Sequence, residues 1–157
     1  MARYAGTPHN VGPFLDMIAM SELGKPVIDQ SDDGYNVLVG STGLKVLTFP
    51  SYADHPNILN KSLDSTAAGR YQILHRWWVD YKAQLQLKDF SPISQDIVAI
   101  QQIRERGALG PLEDGDIEEA VIRCSNIWAS LPGNSYGQHE QRMANLVMWF
   151  KNAGGVC

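Results

Sequence analysis

One stretch decides the fold: Pro13-Phe14-Leu15-Asp16-Met17-Ile18-Ala19-Met20-Ser21-Glu22, with Gly24 and Pro26 after it. Pro13 suits the first turn of a helix, because the backbone N–H that proline lacks has no helical partner there. The same chemistry requires the helix to end before Pro26. We therefore predict a helix that begins near Pro13 and closes just after Glu22.

One face of this helix combines apolar residues with a single acid. Leu15, Ile18 and Glu22 are spaced i, i+3 and i+7 and lie on the same side. Desolvation and the negative end of the helix dipole both raise the pKa of a carboxyl group in that last turn. A carboxyl that stays protonated near neutral pH can act as a general acid. The alternative is an ordinary helix-end acid that reaches water.

Composition and charge narrow the class of protein. The chain has 157 residues, 44% hydrophobic and 19% charged, with a net charge of −4. These values predict one folded domain and argue against a nucleic-acid or anionic membrane partner held by bulk charge. No apolar run approaches the roughly 20 residues of a membrane span, and residues 1–12 do not have the charged-then-apolar layout of a signal peptide. We expect a protein made in the cytoplasm, which something else must release if it acts outside.

Cysteine and histidine spacing predicts no metal site and no disulfide framework. Cys124 lies on an apolar helical stripe and Cys157 is the last residue, while the four histidines stand far apart. The chain also lacks a P-loop, a G-x-G-x-x-G turn and a G-x-S-x-G elbow. We therefore expect an activity that needs no cofactor.

A small sheet and a long loop follow the first helix. Residues 35–40 and 44–49 are predicted as paired antiparallel strands joined at Ser41-Thr42-Gly43. Residues 50–63 form a polar loop that contains aromatic residues, and loops of this length often line binding sites.

Four helices are predicted beyond this loop, from apolar residues at helical spacing. They cover about residues 72–87, 91–107, 116–131 and 143–153. Ser91, Pro92 and Gln95 suit the cap, the first position and a capping box of the second of these helices. The expected fold class is α+β, a helical core with a small antiparallel sheet and a ligand cleft between them.

The residues predicted at this cleft suit a polar, ring-bearing ligand such as a sugar chain. Glu22 would lie on one side, the loop of residues 50–63 on another and Tyr136 at the far lip. A glycosidase usually needs a second carboxylate. The candidates all lie in turns, and spacing singles out none of them: Asp29, Asp32, Asp33, Asp54 and Asp64. If Glu22 works alone, the substrate must supply its own nucleophile.

Several motifs, from about residue 13 to residue 155, occur in the order found in one known family. They include Phe14-Leu15-Asp16-Met17 with Ser21-Glu22, Gly34-Tyr35-Asn36-Val37-Leu38-Val39-Gly40, Asp54-His55-Pro56, Gly69-Arg70-Tyr71-Gln72, Arg76-Trp77-Trp78 and Arg123-Cys124-Ser125-Asn126-Ile127-Trp128. The chain resembles the phage endolysins that are lysozyme-fold lytic transglycosylases of peptidoglycan. The resemblance implies a lysozyme-like fold and cleavage of the β-1,4 bond between N-acetylmuramic acid and N-acetylglucosamine without water. Glu22 matches the catalytic glutamate, and the product would be a 1,6-anhydro sugar.

The resemblance also implies saccharide-binding residues and a biological setting. The implied contacts are Tyr52, His55, Asn57, Tyr71, Gln72, Arg123 and Tyr136. For Arg123 a structural salt bridge is an equal alternative. The implied protein is a monomer that waits in the host cytoplasm, is released by a holin-like protein and lyses the host from the periplasm.

Two departures from the family pattern keep other functions open. Leu23-Gly24-Lys25-Pro26 follows Glu22 where the family has glycine and threonine, and Asn36 stands where a family member has an acid. One alternative is a hydrolase that uses Glu22 with a turn aspartate and water. The other is a wall-binding protein that has lost catalysis.

Overall fold

The computed structural model describes residues 1–133 and 140–157. The chain forms two compact units: the first unit contains residues 1–21 and 99–157, and the second unit contains residues 22–98. The helices of the described residues are α1 Val11–Leu23, α2 Lys25–Asp29, α3 His75–Gln84, α4 Pro92–Glu105, α5 Leu109–Glu113, α6 Ile117–Cys124 and α7 Met143–Asn152. None of them is long and apolar enough to cross a membrane.

Helix α1 confirms the prediction from the opening stretch. It begins two residues before Pro13, which therefore lies in the first turn. Leu15 and Ile18 are fully buried, and Glu22 in the last turn is half-buried. The helix stops before Gly24, whose φ of 76° is left-handed. A second short helix, α2, then begins around Pro26 and was not among the predicted elements.

The predicted strands over residues 35–40 and 44–49 were wrong as continuous elements. The two segments meet antiparallel in one isolated bridge, Val37 with Thr48, and a second bridge joins Thr42 of the predicted link to Lys45. Gly40 has a left-handed φ of 88°, which interrupts an extended strand. The small sheet of the predicted α+β class is therefore not confirmed, although the antiparallel direction of the pairing is.

Helices α3, α4, α6 and α7 confirm the four helices predicted beyond the loop, although α3 and α6 are shorter than predicted. Helix α3 begins three residues late, because Ile73 instead pairs with Ala68 in a bridge. Helix α6 begins where predicted, since the Asp116 carboxylate accepts the Glu119 N–H at 3.1 Å, but it ends at residue 124. The predicted capping role of Gln95 was wrong, because its side chain is fully buried and bonds elsewhere.

Both units contain buried apolar residues. In the first unit α6 packs against both α5 and α7. The largest fully buried side chains of the first unit are Phe14, Leu15, Met17, Ile18, Ile103, Leu112, Leu131 and Phe150. Trp78 and Phe90 pack edge to face in the second unit, with ring centroids 4.9 Å apart.

Candidate functional site

Glu22 lies in the last turn of α1, at the point where the second unit begins. The residue after it is held by packing, because a Cβ atom on Gly34 would lie only 2.7 Å from Leu23 Cδ1. Gly34 has a φ of 86°, so the close approach and the backbone conformation both require glycine. Leu23, one of the departures from the family pattern, thus fills the space that Gly34 leaves open.

Ser21 anchors the same helical turn in the first unit. Its hydroxyl lies 2.7 Å from the Ser130 hydroxyl, and Ser21 is 7% exposed. The bond joins α1 to the segment that follows α6. No local pattern predicts this pair, because the two residues are 109 positions apart.

Arg70 is held inside the second unit by an ion pair. Its guanidinium lies 2.8 Å from Asp33 Oδ1 and also donates to the Asp33 carbonyl. The Arg70 side chain is only 3% exposed, and its charge lies 5.2 Å from the centre of the Tyr35 ring. A desolvated pair of this kind is costly to break, since the remaining partner would be a buried, uncompensated charge.

Tyr71 lies in the core of the second unit, where it shares an acceptor with Tyr35. The Tyr71 and Tyr35 hydroxyls donate to Asp96 Oδ1 at 2.6 and 2.8 Å. Burial, followed by the charge of Asp96, raises the pKa of both phenols above their usual value of 10. Tyr71 is 1% exposed and its hydroxyl bonds within the core, so the saccharide contact implied by the resemblance stays a prediction.

Gln95 holds the segment that carries Tyr71 and Gln72. Its Oε1 accepts the Arg70 N–H, and its Nε2 donates to the carbonyls of Tyr35 and Phe90, each at 3.0 Å. Gly69 is required beside it, because a Cβ there would lie 2.2 Å from Gln95 Oε1. Gln72 is half-buried with a left-handed φ of 51°, and its Nε2 donates to the Gly69 carbonyl at 2.9 Å.

His55 also lies inside the second unit. Its Nδ1 accepts the Asn57 N–H at 3.0 Å, and its Nε2 lies 2.8 Å from the Ile73 carbonyl, which requires a neutral ring that donates from Nε2. Burial lowers the pKa of His55, and the hydrogen bond to Ile73 offsets part of that shift. Direct contact of these nitrogens with a sugar would require the bonds to break.

The other predicted saccharide contacts are divided between the two units. In the second unit Tyr52 is half-buried and donates to Asp32 Oδ2 at 2.6 Å, and Asn57 is exposed. In the first unit Arg123 is exposed, and it bonds Glu119 Oε1 at 2.7 Å and the Gly107 carbonyl at 2.8 Å. These bonds match the structural alternative for Arg123. Tyr136 lies outside the described residues.

Four of the five candidate aspartates have partners of opposite charge or hydrogen-bond donors, and the prediction that all five lie in turns was wrong for Asp29, which ends α2. The pairs are Asp29 with Lys25, Asp32 with Tyr52, Asp33 with Arg70, and Asp54 with Trp78 and Lys82. For Asp54, burial raises the pKa, but hydrogen bonds from Trp78 and Lys82 outweigh burial and lower it. Asp64 is exposed. Across residues 1–133 and 140–157, no three histidine, cysteine or acidic side chains are grouped as a metal site.

Comparison with solved structures identifies the fold of the chain. The chain is similar to bacteriophage lambda lysozyme complexed with a chitohexasaccharide, with a TM-score of 0.85 and 52% identity over 98% of this chain and 99% of that one. It is also similar to a second structure of lysozyme from bacteriophage lambda, with a TM-score of 0.83 and 49% identity over the same shares. The fold is therefore a lysozyme fold.

Sequence comparisons then define the family. The endolysin of Escherichia phage lambda is 53% identical over 147 residues, 91% of this chain and 90% of that protein. The endolysin of Escherichia phage P2 is 47% identical over 158 residues, 96% of each chain. The sequence profile of the family described as Endolysin matches residues 12–157. The chain belongs to the endolysin family, which confirms the resemblance drawn from its motifs.

Proposed function

We propose that this protein degrades bacterial peptidoglycan as a lytic transglycosylase. It would cleave the β-1,4 bond between N-acetylmuramic acid and N-acetylglucosamine. Family membership supports an action on the cell wall, and the lambda lysozyme that it resembles has been solved with an oligosaccharide. The proposal that the bond is cleaved by transfer within the substrate, and not by hydrolysis, depends on the carboxyl groups of this chain.

Glu22 serves in both halves of the proposed reaction. Its carboxyl group first gives a proton to the glycosidic oxygen while the bond from that oxygen to C1 of the muramic acid breaks. The 6-hydroxyl oxygen of the same sugar then bonds to C1 and gives its proton to the Glu22 carboxylate. A 1,6-anhydro ring forms, Glu22 is again protonated, and no water is consumed.

The observation that carries the single-carboxyl proposal is the half-buried position of Glu22 in the last turn of α1. Partial burial and a place at the negative end of a helix are conditions that in general favour the protonated form of a carboxyl group. Asp32, Asp33 and Asp54 each accept a hydrogen bond or form an ion pair within the second unit, which holds their carboxylates in place. A hydrolase would need one of them, or Asp64, to act on water or on C1.

The setting of the activity belongs to the same proposal. The chain would act as a single catalytic domain and a monomer, with peptidoglycan glycan strands as its substrate. It would be made in the host cytoplasm and reach the periplasm through a holin-like protein. Host lysis would follow from loss of the wall.

The deciding experiment is mass spectrometry of the muropeptides that the protein releases from purified peptidoglycan. Glu22→Gln is compared with Glu105→Gln, a matched control because Glu105 ends α4 and is exposed. We expect the wild-type protein to release products that are one water lighter than hydrolytic products. Glu22→Gln should lower the rate of release by about 100-fold or more, and Glu105→Gln should leave that rate unchanged.

The other outcomes separate the alternatives. Products with a reducing muramic acid would refute the single-carboxyl mechanism and point to a hydrolase. Binding of peptidoglycan by the wild-type protein without any released product would instead identify a wall-binding protein.

A further inference from the structure

A small cavity lies in the second unit, between the residues after His55 and the start of α3. Its volume is about 280 Å³, and its polar wall includes Asn57, Asp64, Thr66 and Arg76. Pockets for drug-sized ligands usually measure roughly 300–1,000 Å³. The cavity is therefore suited to one residue-sized group rather than to a run of sugars.

Two opposite charges line this cavity without neutralising each other. Asp64 and Arg76 are both exposed, and neither has an ion-pair partner among residues 1–133 and 140–157. Asp33 and Asp54 of the same unit do have ion-pair partners. An acid and a base that face one cavity and are not paired with each other match a ligand that carries both charges.

The backbone presents these groups in a defined geometry. Asn60 and Ser65 exchange two backbone hydrogen bonds of 2.8 and 3.2 Å, which close the turn that carries Asp64. The Thr66 hydroxyl oxygen accepts the N–H of the first α3 residue at 3.1 Å, so its hydrogen remains available to a ligand. The cavity wall thus contains a carboxylate, a guanidinium and a hydroxyl donor, together with the His75 ring.

We propose that this cavity binds the zwitterionic α-amino carboxylate end of a peptidoglycan stem peptide. The ligand ammonium would pair with Asp64, and its carboxylate would bond Arg76 and the Thr66 hydroxyl. The inference rests on the proposed function, because peptidoglycan carries short peptides whose diamino acid keeps both charges when it is not cross-linked. It makes the second unit a reader of uncross-linked peptide in addition to glycan.

The test is calorimetric titration of the intact protein with a soluble stem peptide, L-alanyl-γ-D-glutamyl-meso-diaminopimelate. We expect Asp64→Asn and Arg76→Gln each to raise the Kd about fivefold or more, as loss of one charge contact implies. Asp80→Asn and Lys88→Gln are matched controls, because both side chains are exposed in the same unit and neither lines the cavity. These controls should leave the Kd unchanged.

A modified probe assigns the ammonium contact. Acetylation of the free amino group of the diamino acid should weaken binding to the wild type as much as Asp64→Asn does. It should cause no further loss in Asp64→Asn, since the partner is already absent. Equal weakening in both proteins would overturn the pairing of that ammonium with Asp64.

Further probes distinguish the other occupants and the proposed function. Free D-alanine has the same charged groups, and equal affinity for it would overturn the assignment to wall peptide. A neutral chitooligosaccharide that binds more weakly to Asp64→Asn and Arg76→Gln would instead make the cavity a sugar subsite. An active enzyme that does not bind the tripeptide would refute this inference alone, whereas binding without muropeptide release would refute only the proposed function.

Discussion

Replacement of Tyr71 by phenylalanine should destabilise the protein without slowing muropeptide release per folded molecule. The change removes a 2.6 Å hydrogen bond to Asp96 Oδ1 at a side chain that is 1% exposed. Loss of one partner of a buried hydrogen bond costs about 1–3 kcal/mol. For a chain of this size each kcal/mol lowers Tm by about 2–4 °C, so Tm should fall by about 2–12 °C.

Tyr35→Phe is the matched control, because its hydroxyl donates to the same oxygen at 2.8 Å. Thermal and urea unfolding of both single variants and of the double variant would be followed by circular dichroism. The double variant leaves Asp96 Oδ1 without either hydroxyl donor, so its loss should exceed the sum of the single losses by about 0.5–3 kcal/mol. Additive losses would contradict the shared-acceptor arrangement.

A spectrophotometric titration checks the same pair from the alkaline side. The pKa of Tyr35 and of Tyr71 is raised in the folded protein, while unfolded tyrosine ionises near pH 10. The stability contributed by these phenols is therefore complete below about pH 10 and is lost as the pH rises further. Two of the six tyrosines should ionise only on unfolding.

One result would contradict a structural role of the Tyr71 hydroxyl. If Tyr71→Phe unfolds like the wild type but releases muropeptides more slowly, Tyr71 must touch the saccharide.

Three further predictions concern acid stability, a required glycine and an exposed arginine. The pKa of His55 is lowered by burial, so below about pH 6.5 the unfolded chain binds a proton that the folded chain does not. Urea unfolding should therefore show that stability falls below this pH by up to about 1.4 kcal/mol per pH unit. The fall should be less steep in His55→Gln. Gly69→Ala should lower the free energy of unfolding in urea by about 2–5 kcal/mol, because the new Cβ would lie 2.2 Å from Gln95 Oε1 at a φ of 82°. The control is Gly154→Ala, where φ is 95° but the space around the Cβ is open. This variant should lower the free energy of unfolding by only about 1–2 kcal/mol. Arg123→Ala should change stability by at most about 1 kcal/mol and leave muropeptide release intact, since its ion pair is exposed; a large loss of activity would support a saccharide contact instead.

The elements that could be predicted are those whose cause lies within one helical turn or two. The α1 helix follows from Pro13, from the apolar spacing of Leu15 and Ile18, and from the glycine after its end. The start of α6 follows from Asp116, whose side chain caps a residue three positions away. Sequence patterns detect such contacts because the partners lie on neighbouring turns of one helix.

The predicted sheet shows why other elements could not be read in this way. The apolar run Val37-Leu38-Val39 fits a strand, but strand pairing also depends on the neighbouring segment and on the backbone angles between them. The left-handed φ of Gly40 leaves only isolated bridges. A glycine in the sequence permits that conformation without showing that the chain adopts it.

The sequence alone determined the endolysin resemblance and the helix that carries Glu22, and it predicted Glu22 as the acid, because each depends on residue identity and local spacing. Only the tertiary structure decided what the residues around them do. It placed Tyr71 on Asp96, Gln95 beneath Gly69, and His55 between main-chain groups. Tyr71 and Asp96 lie 25 positions apart in sequence. Folding alone brings such partners together, and burial then converts polar side chains that resemble ligand contacts into parts of the core.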